Sequence, residues 1–186
     1  QTDTEVLANL IEYIYIKGDE IETGVKYYDY GGCDSYNPQK CLNVWICNLV
    51  NENGIIKGGY GTFPGGNMLT DGIVINYRYV GNIGTPYLYN KGRIATHEIG
   101  HWLNLNHIWG NSRNLYSCED DDDVSDTPKQ MGPTMTYDWE EPLCPDYGVV
   151  INGCESGEHA MYMNFMDYTC DSRMNLFTLG QKARAR

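Results

Sequence analysis

The residues best equipped for chemistry lie at 97–107, HEIGHWLNLNH, and include three of the four histidines in the chain. His97 and His101 are four positions apart. On an α-helix such residues sit about 40° apart around the axis and share one face. Two imidazoles so placed can bind one metal ion, and Glu98 between them is the expected general base. His107 comes six positions after His101, and on an unbroken helix it would point roughly 240° away. The helix must therefore stop first. Asn104 is, after glycine, the residue type best suited to a left-handed conformation at a helix C-terminus. The pattern predicts a zinc site of His97, His101 and His107 with an open fourth position for water. An isolated HExxH is common by chance, but a third histidine behind a turn residue is not.

Several elements must position these groups. A zinc helix is expected over Lys91–Leu103. Leu42–Val50 (LNVWICNLV) is an apolar run of strand length, expected to be buried on both faces. Asp71–Val80 (DGIVINYRYV) reads as a second strand with Ile73, Ile75, Tyr77 and Tyr79 on one face. Ile11–Ile16 has strand character, and the glycine-rich stretch Gly58–Gly66 reads as a loop. After Asn104 little regular structure is expected until Thr178, where a C-terminal helix opens. That intervening region is rich in Gly, Pro, Asp and Cys, a composition that disulfides and bound ions hold in place of a packed core.

The 186 residues suit one domain. A hydrophobic content of 41% and a charged content of 20% are ordinary for a globular protein. No apolar run of about 18 residues is present. The start, Gln1 to Glu5, lacks the basic-then-apolar pattern of a signal peptide, so a processed or trimmed form is expected. A net charge of −12 argues against nucleic acid as a partner and favours cations or basic peptide segments. Six of the 25 acidic residues fall within Glu119–Asp126. Seven cysteines without a CxxC pair point to disulfides and an oxidising compartment. The odd count leaves at least one thiol, for which Cys47 inside an apolar strand is the candidate.

HExxHxxGxxH followed by a methionine turn resembles the metzincin pattern. Within that clan the chain resembles the pappalysin (ulilysin-like) family. LNVWIC, GYGTFPG, DGIVI, GRIATHEIGHWLNLNHIWG, VSDTP, NFMDYT and FTLGQ follow in the family's order and together span roughly residues 21–184. The resemblance implies a mixed α/β metzincin-like fold in a single catalytic domain, residues 1–186. Its upper part, to about residue 104, would hold a twisted, mostly parallel sheet and the zinc helix. Its lower part, from about 105, would be irregular, stabilised by disulfides and calcium, and end in a helix.

The function implied is a secreted zinc endopeptidase, a hydrolase of peptide bonds in proteins, with its own propeptide as an inhibitory partner. Glu98 would be the base and Met166 the methionine turn beneath the zinc, while Tyr168 would help stabilise the oxyanion. Asp122, Val124 through its carbonyl, Thr127 and Asp126 would bind structural calcium. Cys118 would pair with Cys154 and Cys144 with Cys170, and Cys33–Cys41 would close a small loop. Asp171 would read a basic residue just after the cut, although Arg173 could neutralise it. The substrate is expected to lie extended along the strand near Asp71–Val80.

Three features depart from the family. Asn104 replaces a glycine, a cysteine expected near Arg173 stands at Cys170, and the strand and long helix that usually precede IEYIYI are not evident. The alternative function is a catalytically silent metzincin-like module that binds calcium or protein.

Overall fold

The computed structural model of the chain describes residues 13–14, 25–27, 29, 32–50, 54–82, 87–110, 117–134, 144, 153–154 and 159–185. Four strands make one sheet: β1 (Tyr13–Ile14), β2 (Val44–Cys47), β3 (Gly59–Gly61) and β4 (Ile73–Asn76), in the order β1-β2-β4-β3. β1, β2 and β4 are parallel, and β3 runs antiparallel to β4 at the edge. The fold is thus the expected mixed α/β arrangement with a mostly parallel sheet. The Val-Trp-Ile-Cys run of β2 and the Ile-Val-Ile run of β4 place Trp45, Cys47 and Val74 in a core with Val25 and Leu49. Continuous burial of this kind is what an interior parallel strand requires.

β4 is shorter than Asp71–Val80. The Asn76 side chain accepts from Arg78 N and turns Tyr77–Tyr79 into a 3₁₀ segment. β4 also lies inside the sheet, so it cannot be the strand that a substrate extends. Among the described strands the edges are β1 and β3, and β3, the one beside the 93–102 helix, lies in the middle of the stretch expected to be a loop. Its glycines are required by packing. A Cβ on Gly59 would lie 2.7 Å from the Val74 carbonyl, and one on Gly61 2.5 Å from the Glu98 carbonyl.

Helix α1 spans Arg93–Trp102 and follows Gly92, whose φ is 70°. It ends as the sequence suggests. Asn104 takes φ 76°, while Asn104 N donates to the His101 carbonyl and Leu105 N to the Gly100 carbonyl. These paired bonds satisfy the last carbonyls and reverse the chain. Helix α2, Leu179–Arg184, is started by a reciprocal capping box between Thr178 and Gln181. Between the helices the described residues carry turns and isolated bridges, Gln130 with Gly153 and Asn164 with Leu176.

Disulfides join Cys118 to Cys154 and Cys144 to Cys170. The expected Cys33–Cys41 bridge is not formed. Cys33 packs against the core beside Trp45, whereas Cys41 closes the exposed 37–41 turn. Cys47 is a buried thiol, and burial pushes its pKa up to about 11.

Candidate metal centre and its cleft

Helix α1 brings His97, Glu98 and His101 to one buried patch, and the Asn104 turn returns His107 to it. The His101 Nε2 lies 3.1 Å from Nε2 of His97 and 3.1 Å from Nε2 of His107. The far nitrogen of His97 faces the Phe165 carbonyl at 2.7 Å, and that of His101 faces the Leu105 carbonyl at 2.8 Å. A carbonyl only accepts, so both Nδ1 atoms carry the proton and both Nε2 atoms present bare lone pairs. Lone pairs that converge cannot bond to one another; a cation between them resolves the repulsion. Ligands about 2.0–2.1 Å from a tetrahedral zinc are about 3.3 Å apart, close to the spacing seen. Burial, then the neighbouring imidazoles, depresses the pKa of His97 to about 3 and of His107 to about 2. Burial lowers that of His101 too. All three are therefore neutral and able to ligate. The residues present fit zinc.

Glu98 is buried beside them. Burial raises its pKa to about 8, opposed by a hydrogen bond from Gly61 N–H. The small residues of β3 make that contact possible, since a Cβ on Gly59 would stand 3.0 Å from Glu98 Cγ. Met166 is fully buried under the helix, where a Cβ on Gly100 would collide with its Sδ. It shares a cluster with Leu105 and Ile108. Tyr168 is 38% exposed, with its ring 5.3 Å from His97 and 4.9 Å from His107.

A cleft of about 530 Å³ opens beside Glu98, lined among others by Ile56, Gly58, Ile94, Tyr168, Asp171 and Met174. Asp171 has a structural task. Its Oδ2 accepts from Lys91 N at 2.7 Å and Arg93 N at 3.1 Å, which ties the start of α1 to the segment after Met166. Its Oδ1 is buried without a hydrogen-bond partner. Burial raises its pKa, while the two amides and the Arg93 and Lys91 charges lower it.

In the acidic run, Asp122 Oδ1, the Val124 carbonyl and Thr127 Oγ1 converge. The hydroxyl lies 2.6 Å from the carboxylate and 2.7 Å from the carbonyl. It has one proton for two acceptors. The second oxygen of Asp122 is buried without a partner, so this oxygen set fits a hard cation. Asp126 stands apart from it, because its Oδ2 accepts from Gly180 N at the start of α2.

Three features of the site were not foreseen from the sequence. Trp109 stacks on His107 with centroids 4.5 Å apart. Asp167 is buried and accepts from Thr134 N, Thr134 Oγ1 and Gln130 Nε2. Gly59 and Gly61 admit Glu98 to the sheet edge. Only the glycine pair left a trace, the alternation of small residues around Tyr60.

A family model described as Pregnancy-associated plasma protein-A (Peptidase_M43) matches residues 30–186. A protein of Arthroderma benhamiae named "Extracellular metalloprotease" is 35% identical over 160 residues, 83% of this chain and 47% of the relative. "Extracellular metalloprotease 1" of Coccidioides posadasii is 36% identical over 151 residues, 77% of this chain and 47% of its own length. The chain thus spans about half the length of the curated relatives it matches. Mature mirolysin of Tannerella forsythia, solved with a cleaved peptide, is 39% identical with a TM-score of 0.74. The match covers 90% of this chain and 58% of that one. A promirolysin mutant from the same organism aligns with a TM-score of 0.75 and 39% identity, covering 90% of this chain and 52% of its own.

Proposed function

We propose that this chain, which belongs to the pappalysin family of metallopeptidases (Peptidase_M43), is a secreted zinc endopeptidase that hydrolyses internal peptide bonds. The observation that carries this reading is the convergence of the His97, His101 and His107 Nε2 atoms beside a buried Glu98. Zinc bound there would supply Lewis acidity toward the scissile carbonyl and the attacking water, and its charge would favour the ionised form of Glu98 that burial alone opposes. Glu98 takes a proton from that water as its oxygen bonds to the carbonyl carbon. When the carbon–nitrogen bond breaks, Glu98 passes the proton to the departing amine. Tyr168, at the rim beside His97 and His107, donates to the oxyanion. Met166 acts as the packed floor under His101.

A substrate strand adds to the outer edge of β3. Running antiparallel to β3, it puts the residue after the cut at the Gly58 end, where the cleft and Asp171 lie. The unpartnered Oδ1 of Asp171 supports a preference for a basic residue there. Asp122, the Val124 carbonyl and Thr127 hold structural calcium; Asp126 is the weakest member of that set, being engaged with α2. A solved relative is described as a pro-form, which supports an inhibitory propeptide for this enzyme as well. Residues 1–186 act as a single catalytic domain that divides near residue 104. The named homologues are extracellular, and among the described residues no helix is long and apolar enough to cross a membrane.

Casein or peptide cleavage that is lost with o-phenanthroline and regained with zinc is the direct test. Metal-independent cleavage, or none from a zinc-loaded protein, removes the reading. The latter result would favour the silent calcium- or protein-binding module.

A further inference from the structure

The three imidazoles are not oriented by the same means. His97 and His101 each have a backbone carbonyl against Nδ1, at 2.7 and 2.8 Å. This is the usual way that a metal-binding histidine is held in one tautomer and rotation. Among the described residues the one nitrogen contact of His107 is that of its Nε2 with His101, its ring also stands 5.2 Å from that of His97, and no acceptor faces its Nδ1. Its ring lies flat on the indole of Trp109 instead, with centroids 4.5 Å apart and planes 5° from parallel. Trp109 is itself 4% exposed and so has little freedom to move. The Tyr168 ring completes the arrangement, meeting Trp109 edge-on at 4.9 Å and His107 edge-on at 4.9 Å.

We propose that Trp109 is the positioning residue for the third ligand: its flat face takes the place of the missing carbonyl and fixes the rotation of the His107 ring. A ring pressed along a buried plane cannot turn about its own axis without entering that plane. His107 reaches the centre from outside α1, after the Asn104 turn, so it lacks the helical support that His97 and His101 share. Offset and edge-to-face contacts are preferred aromatic geometries, and the same indole sets where the Tyr168 ring stands. Trp109 is not among the residues that line the cleft; it acts through His107 and Tyr168. The inference rests on the zinc reading of the site.

The test compares Trp109→Phe with Trp109→Leu, each first checked for a native circular-dichroism spectrum without metal. Zinc affinity is then measured by chelator competition, and ligand geometry by visible absorption after Co²⁺ loading. The Trp109→Phe protein keeps a flat face and should stay within about threefold of the wild type. Trp109→Leu keeps the apolar bulk but loses the face, and should weaken zinc binding by about 10–100-fold, the range for lost outer supports of a ligand. Its Co²⁺ spectrum should change as well. A folded Trp109→Leu protein with wild-type affinity and spectrum overturns the inference.

A measurement on the unaltered, zinc-free protein keeps the test open should the Trp109→Leu substitution prevent folding. The His107 ring protons should be shifted upfield by the indole ring current; shifts typical of a freely rotating histidine overturn the inference. Failure of the wild type to bind zinc or Co²⁺ would instead remove the metallopeptidase reading, so the two failures are distinguishable.

Discussion

In the sheet, the buried side chains are largely apolar: Trp45, Leu49, Ile73 and Val74 pack on a continuous hydrogen-bonded ladder. Beyond Asn104 many are polar and bonded pairwise. Gln130 and Thr134 surround Asp167, and Asn164 exchanges two hydrogen bonds with Gln181. Two disulfides cross the same region. The first region is held by area removed from water, which is non-directional and tolerant of detail. The second is held by partners that must each be present, because a buried polar group left alone is costly. The three converging histidines draw on both, two from the helix that packs on the sheet and one from the start of the tied region.

The largest expected effect falls where the two regions meet. Glu98→Gln should lower turnover by roughly 10²–10⁴-fold while leaving bound zinc unchanged, read by steady-state kinetics beside metal analysis. Near-normal turnover would place the base elsewhere. Within the sheet, Leu49→Ala should cost about 2–5 kcal/mol and lower a single cooperative transition. In the tied region, joint replacement by Cys118→Ala and Cys154→Ala opens a bridge across 36 residues and should cost about 3–4 kcal/mol. Hydrogen exchange should then rise in residues 117–134 and 159–185 before it rises in β2 and β4. The reverse order would dissolve the contrast between the regions.

A pH series sharpens it further. Burial raises the pKa of Asp122 from 3.8 to about 6. The folded, cation-free protein therefore holds that proton more tightly than the unfolded chain. The stability it contributes is full below pH 3.8 and lost as pH rises through about 6. Melting temperature without calcium should fall across that window, and Asp122→Asn should flatten the fall. Calcium should restore stability at neutral pH in the wild type alone. The smallest effect is expected from Arg184→Ala. Its Nε donates to the Asn104 carbonyl at 2.9 Å and its ion pair with Asp123 is exposed. About 1–2 kcal/mol is expected, with a small loss of zinc affinity by chelator competition.

The sequence was most legible where periodicity decides. The shared face of His97 and His101, the stop at Asn104 and the capping residue Thr178 all follow from helix geometry and local backbone preference. The β3 edge was hidden because glycine has low strand propensity; its presence there answers to the approach of Glu98, a long-range fact. The retention of thiols at Cys33 and Cys41 was equally invisible, since spacing does not reveal that one packs inward and the other lies on an exposed turn. Trp109 and Asp167 escaped for a related reason. Their partners are distant in the chain or unmarked by any period, as is usual where specific bonds replace a ladder.

The glycines of β3 also limit how this molecule can diversify. Gly59 and Gly61 present no side chain along the proposed substrate edge, and neither position can accept a methyl without meeting backbone oxygen. New sequence preferences cannot be acquired at those two positions by ordinary amino-acid replacement. Altered selectivity must instead come from side chains elsewhere in the cleft lining, such as Ile56, Ile94 and Met174.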